Sequence, residues 1–179
     1  MQNFEHCKYT YRHRRAFEYV VEKLFAKDPY VHKQMVQRAR AHDIDKLIMY
    51  QCTSKAEASK LHKATAPHHM NNDREHSYYD MLEAVVDYEC AGYTKPDKPL
   101  NAWDTIQYFQ QNGANPELCT RLLALCTQYG LQGSYRVAEI DQEGMRQMEQ
   151  YRDVTEEMIH EDIMSYFRYQ LCMDSGAMS

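Results

Sequence analysis

No stretch of the chain stays apolar for long; the longest unbroken run covers only residues 122–126. A bilayer-spanning helix needs about 20 such residues, so the sequence offers no membrane span. The opening Met1-Gln2-Asn3-Phe4-Glu5-His6 lacks the basic and apolar blocks of a secretory leader. That sets the expectation of a cytoplasmic protein. Cys7, Cys52, Cys90, Cys119, Cys126 and Cys172 form no CxxC pair. Neither a thiolate zinc site nor a disulfide framework is therefore expected, and the thiols read as reduced and mostly buried. Glycine (6) and proline (5) are scarce and sit at plausible breaks. Strand-like alternation bounded by turn residues is essentially absent, and nothing repeats at a period of about 20–50 residues. Also missing are GxxxxGK[ST], GxGxxG and GxSxG. Their absence argues against phosphate-loop kinases, nicotinamide enzymes and α/β-hydrolases.

What is present is globular: 179 residues, 44% hydrophobic and 26% charged, enough for one domain with a real core. The net charge of −5 argues against a general affinity for nucleic acid. The average conceals a split. Residues 1–63 carry 13 Lys/Arg against 7 Asp/Glu, whereas residues 64–179 carry 8 against 19. Eight of the nine histidines lie between His6 and His76. A basic, histidine-rich half is where an anionic ligand or a metal is to be sought.

Helical spacing dominates, so the fold class is all-α. A first helix is expected over 10–26, with Phe17, Val20, Val21, Leu24 and Phe25 as its stripe. Asp28-Pro29 opens a second, which carries Val31, Met35, Val36 and Ala39 up to His42-Asp43. Thr53 or Ser54 caps a third, through Ala56 to about Ala64, and Pro67-His68-His69 interrupts it. A fourth, capped by Asn72 or Asp73, presents Tyr79, Leu82, Val86 and Cys90 and ends at Gly92. The prolines within 94–101 mark a loop; further helices follow over 102–111 and from Asn115-Pro116-Glu117 to about Gly130. A long final helical segment is expected over about 138–173, with apolar residues at Ile140, Met148, Tyr151, Met158, Ile159, Ile163 and Phe167 and a frayed tail after it. Nine acids and two arginines fall within 139–162 and read as a solvated face, or else as a partner or self-association surface.

The chemistry centres on His42-Asp43-Ile44-Asp45-Lys46. An imidazole and a carboxylate side by side at a helix end can converge on one cation. This mixed nitrogen and oxygen set suits Zn, Mn, Fe, Co or Ni better than Ca. If the first two helices pack antiparallel, His13 can face that corner. His62 and the pair His68-His69 follow. Asp87, four residues after Glu83, shares its face and lies beside the apolar stripe, where a carboxylate needs a partner. Adjacent His68 and His69 diverge by about 100° if helical, so one of them is expected to point inward. Lys46 is a candidate phosphate contact; Arg14, Lys95 and Lys98 are weaker ones, and Tyr93 to Lys98 could form a lid over an anion. His6, His32, His76 and His160 read as ordinary surface residues.

These residues resemble the pattern of the HD-domain superfamily of metal-dependent phosphohydrolases. The resemblance implies an HD-domain-like helical bundle, here with a long C-terminal helix, and metal ligands at His13, His42, Asp43 and Asp87. The HDxxK form is similar to the common His-Asp-x-Gly-Lys, with Asp45 where glycine is usual. A closer resemblance is to a group of small, uncharacterised HD-like proteins, carried by His13, His42-Asp43-x-x-Lys46, His62, His68-His69 and Asp87-Tyr88 across residues 8–105. It implies a fold and a metal site but no substrate. In binuclear members two further histidines bind a second metal; His62 and one of His68/His69 have that order, at compressed spacing. The expected division is an HD-like metal-binding domain over 1–137 and a helical segment over 138–179, packed on it or at an oligomer interface.

Three functions follow as expectations. The first is a phosphohydrolase of nucleotides or other small phosphate esters, with one or two divalent transition metals (Mn, Co, Ni, Zn or Fe), Asp43 and Lys46 as the reaction's residues, and Lys46, Arg14 and Lys95 as anion contacts. The proton acceptor stays open among Asp43, Asp45 and Glu83. The second is a diiron oxygenase on the same ligands. The third is a non-catalytic binding module. A homodimer through the last segment is an open expectation.

Overall fold

The structure is a computed structural model that describes residues 3–70, 74–98 and 100–174. The expected caps Asn72 and Asp73, Pro99 of the 94–101 loop, and the tail from 175 lie outside the described residues. Among the described residues there are helices and no strand.

Helix α1 (Phe4–Phe25) and helix α5 (Tyr78–Thr94) form the centre. Phe17, Val20, Val21 and Phe25 of α1 meet Leu82, Val85, Val86 and Cys90 of α5, all nearly inaccessible to solvent. α5 is buried on more than one side, since Met81, Ala84 and Tyr93 are buried as well. Helix α2 (Pro29–Ala41) lies against α1 and starts as the sequence indicates. The Asp28 carboxylate accepts from the Val31 N–H at 3.1 Å, and Pro29 takes the first turn, where its missing N–H costs nothing. Helix α3 (Ile44–Met49) was not anticipated: it begins immediately after the His42-Asp43 corner. Helix α4 (Lys55–Thr65) has Ser54 and Glu57 as a reciprocal capping box, and α5 has the same device in Ser77 and Asp80. Helices α6 (Ala102–Gln111) and α7 (Pro116–Gln128) form a hairpin on α5.

Two element boundaries differ from the expectation. Gly92 does not end α5, which runs on to Thr94. It is glycine for a different reason: a Cβ there would meet the Leu100 carbonyl oxygen and the Val137 side chain at 2.6 Å. Backbone cannot retreat as a flexible side chain can. Gly92→Ala is therefore expected to destabilise the fold by about 1–3 kcal/mol, read as a lower urea midpoint; an unchanged midpoint would show that the contact yields freely.

The final segment is helical as expected and ends in a long helix of 19 residues, but it is divided. Residues past 136 form α8 (Val137–Ile140), α9 (Gln142–Glu149) and α10 (Glu156–Asp174). Asp141 makes the first break, because its carboxylate caps α9 through the Gly144 N–H at 2.9 Å. It also accepts from Tyr93 Oη and pairs with Lys23 Nζ, both at 2.6 Å, and from Tyr19 Oη at 3.0 Å. Tyr93 is thus a buried post rather than part of a lid. The segment packs back on the bundle: Val154 and Ile159 complete a second apolar cluster with Cys7, Tyr11, Ile44, Leu47, Tyr50 and Ala58. Its acids are not uniformly a solvated face either, since Asp141 is buried against Lys23 and Asp162 is half-buried against Arg14 and Arg15. Met164, Phe167, Leu171 and Met173 of α10 remain exposed. No helix among the described residues is long and apolar enough to cross a membrane.

The Asp141 network sets an acid limit. Burial alone would raise its pKa, but Lys23, Tyr93 and the Gly144 N–H hold it down at about 2, below the ordinary 3.8. Its contribution is present above the unfolded value and is lost as pH falls through about 2. The shift corresponds to about 2 kcal/mol. Asp141→Asn is expected to lose that increment near neutral pH and to show a flatter decline in urea midpoint between about pH 4 and 2 than the parent; parallel curves would contradict the role.

Candidate metal centre

The site is assembled where four helices and one loop meet. α1 supplies His13, the α2–α3 corner supplies His42 and Asp43, α4 supplies His62, the segment after Pro67 supplies His68 and His69, and α5 supplies Glu83 and Asp87. His42 ends α2, with its N–H bonded to the Arg38 carbonyl. Asp43 then adopts a left-handed backbone (φ 56°), uncommon outside glycine and tolerated best by Asp and Asn. This turns the chain into α3 within one residue and keeps the Asp43 carboxylate buried beside His42. A non-glycine residue in that conformation, at the centre of a polar cluster, is the kind of local cost that functional sites carry.

The donors converge. His13 Nε2 lies 2.7 Å from Asp87 Oδ1, and His42 Nε2 lies 3.5 Å from the same oxygen. His62 Nε2 and His68 Nε2 lie 3.0 and 3.7 Å from Asp43 Oδ1. Neighbouring ligands on one ion, with bonds of about 2.1 Å, stand about 3.0–3.4 Å apart in octahedral or tetrahedral geometry, the range these separations bracket. Yet His42 Nε2, Asp43 Oδ1, His62 Nε2, His68 Nε2 and His69 Nε2 are buried with no hydrogen-bond partner among the described residues. Buried polar atoms are seldom left so, and a cluster of them calls for partners. A cation is the partner whose chemistry suits imidazole nitrogens and carboxylate oxygens together. Four overlapping sets can hold one: His13, His42 and Asp43; His42, His68 and Glu83; Asp43, Asp45 and His62; and His62, His68 and His69.

The opposite ring nitrogens are held from behind. Glu83 Oε1 is hydrogen-bonded to His42 Nδ1 at 3.1 Å and lies at ion-pair distance, 3.0 Å, from His68 Nδ1, so one carboxylate stands behind two imidazoles. Asp45 Oδ2 lies 2.8 Å from His62 Nδ1. These contacts leave each Nε2 for the centre, as carboxylates behind metal-bound histidines do. Phe17 stacks on the His42 ring with centroids 3.9 Å apart and fixes its plane.

Electrostatics agree. Burial works against ionisation of Asp43 and Asp87, but the facing histidines, His42 for Asp43 and His13 for Asp87, hold both carboxyls well below the usual range. Burial disfavours a charged His42, yet Asp43, Asp87 and Glu83 around it raise its pKa to about 10. His69 lies outside the carboxylates; burial and the neighbouring His68 and His62 push it down to about 3, so it stays neutral. The carboxylates at the centre thus attract positive charge, and the imidazole at its edge keeps a lone pair.

Each expected ligand, His13, His42, Asp43, His62, His68, His69 and Asp87, lies in or against this cluster. His68 is the inner member of its pair, 3% exposed and facing Asp43 and Glu83, while His69 is half-buried beside His62. The anion contacts fare differently. Lys46 Nζ is 2.9 Å from Asp43 Oδ2 and neutralises that carboxylate. Arg14 is corrected: it is 1% exposed, bonded to the His42 carbonyl, the Arg40 carbonyl and Asp162, and absent from the cleft beside the cluster, so it braces the His42 backbone. Lys95 stands over the Tyr9 ring, which itself stacks on His13, at the rim of the cluster. His76, read as a surface residue, is buried.

A cleft of about 530 Å³ opens onto His42, Asp43, His62 and His68. Its other polar walls, Gln34, Gln37 and Arg38, were missed in the sequence. Arg38 bonds Glu83 at 2.7 Å and Asp80 at 2.8 Å. The available signal was spacing: Arg38 lies one helical turn before His42 and so on its face. No family model matches the chain, and no curated protein or solved structure matches it at a significant level.

Proposed function

We propose that the protein is a metal-dependent phosphohydrolase of the HD type, acting on a nucleotide or another small phosphate ester. The observation that carries the proposal is the convergence of unpartnered imidazole nitrogens on the Asp43 and Asp87 carboxylates beside a polar cleft. In this reading His13, His42, Asp43 and Asp87 hold one divalent transition metal, and His62 and His68 extend the set. A metal so bound lowers the pKa of a bound water toward about 7 and polarises a phosphoryl oxygen. The protein's own groups do the rest. Glu83 and Asp45 fix the tautomers of His42, His68 and His62. Lys46 balances the charge of Asp43. Arg38 offers positive charge in the cleft wall for a phosphoryl group. Asp45, with 43% of its side chain exposed and a place in the same wall, is the carboxylate that can take a proton from cleft water.

A second reading, a diiron oxygenase, is favoured by one observation: His62, His68 and His69 make an imidazole-rich group beside the first. It calls for two irons and oxygen uptake, whereas the phosphohydrolase calls for phosphate release.

The test is a screen of nucleoside monophosphates, di- and triphosphates and simple phosphate esters after loading with Mn, Co, Zn or Fe. Phosphate release that is abolished by Asp43→Ala and by chelator, with the helical circular dichroism retained, is the expected result. Oxygen uptake without phosphate release would favour the oxygenase. No turnover with any metal would remove both and leave a binding module.

A further inference from the structure

A second cavity of about 220 Å³ lies between α5 and the α6–α7 hairpin, with His69 of the histidine cluster in its lining. Its walls are apolar: Ile106, Phe109, Leu118, Cys119 and Leu122, closed by Met70. Its polar lining is confined to His69, Lys63 and Tyr88, the residue after Asp87. His69 ties this cavity to the metal centre, since its ring centroid is 4.8 Å from that of His62 and 4.7 Å from that of His68, both of which line the polar cleft. His69 therefore borders both the histidine cluster and the apolar cavity.

We infer that this cavity is the subsite for an unbranched apolar chain of the substrate, whose phosphate head lies at the metal centre; the inference rests on the phosphohydrolase reading. A nucleobase suits the cavity poorly. Its ring nitrogens and carbonyls would face five apolar walls, and polar groups buried without hydrogen bonds are costly. A methylene chain has no such atoms, and its length can be matched to the space. The aliphatic and thiol lining, with His69 as its link to the histidine cluster, has the character of small-ligand sites. The substrate class that follows is an alkyl or acyl-chain phosphate monoester of short to medium length.

The test uses the full-length, manganese-loaded protein, its metal content measured beforehand, and two probe series from butyl to decyl: alkylphosphonates, which cannot be hydrolysed at the C–P bond in this way, and n-alkanols, which carry the chain alone. Calorimetry is expected to show affinity rising about fourfold per methylene in both series and then levelling off once the cavity is full. Ala114→Leu with Cys119→Met, which fill the cavity, are expected to flatten both series. Leu122→Ala, which enlarges it, is expected to move the plateau to a longer chain and guards against a misfolded filled variant. A flat response to chain length in the wild type would overturn the subsite while leaving the metal reading intact. A slope that persists in the filled variant would place the chain elsewhere and overturn it too. Absence of bound metal with the alkanol slope retained would overturn the metal reading and, with it, the placement of the head.

Discussion

Exchanging Glu83 for glutamine is expected to weaken the binding of a divalent transition metal by about 10- to 100-fold while leaving the helical fold in place. One Glu83 oxygen lies within 3.1 Å of the Nδ1 atoms of both His42 and His68, and its other oxygen is bonded to Arg38. A carboxylate can accept from both imidazoles at once and thereby direct both Nε2 lone pairs to the centre. An amide accepts on one atom only, and its NH₂ group would face either an imidazole N–H or Arg38. Chelator competition with Co or Zn reads the effect. The positioning role also predicts a changed visible spectrum of the cobalt form, which loss of general packing would not produce. Unchanged affinity and spectrum would show that the two rings are set by packing, with Phe17 as the main constraint.

The second large effect is on folding. Arg14→Met is expected to cost about 3 kcal/mol, the lower end of the range for breaking a buried ion pair, because Arg15 still reaches Asp162 at 2.6 Å. Arg14 links three distant parts of the chain: the last helix through Asp162 Oδ2 at 2.8 Å, the Arg40 carbonyl at 3.2 Å and the His42 carbonyl. Removing it leaves buried acceptors unpaired in the segment that presents His42. Arg14→Met combined with Asp162→Leu is expected to recover part of the loss, since replacing both ends by apolar groups avoids the unpaired charge. Urea midpoints of the two variants decide. Equal midpoints for parent and Arg14→Met would contradict the brace.

The same arginine shows where a sequence stops being informative. Arg14 follows His13 in a basic run, and basic residues next to a ligand suggest substrate contact. What makes it structural is Asp162, 148 residues away, which no local pattern announces. His13 and His42-Asp43 were legible because helix spacing and a doublet at a helix end are local, and Asp87 because it falls one turn after Glu83. The choice between His68 and His69 was not, since both follow Pro67 in irregular backbone whose direction is set by tertiary packing. The breaks within the final segment were hidden for a related reason. Its apolar residues keep helical spacing across both breaks, and those breaks lack proline. Asp141 breaks it by capping α9 while anchored to Lys23 and Tyr93, and the second break places Val154 in the α3 cluster. Only Thr155, whose Oγ1 accepts from the Met158 N–H at 3.3 Å, was a readable cap there. Gly92 was the reverse case: its composition signal said helix end, and close packing against Leu100 and Val137 was the actual cause.

The account stands or falls on whether the imidazole and carboxylate cluster holds a transition metal. The direct measurement is elemental mass spectrometry of protein stripped of metal, reloaded with cobalt or manganese and freed of excess, beside the Asp43→Ala form. One or two ions per folded chain, lost in the variant, is the result expected from the shared place of Asp43 between His42, His62 and His68. Folded protein that retains no metal, or retains it equally without the Asp43 carboxylate, would contradict the account.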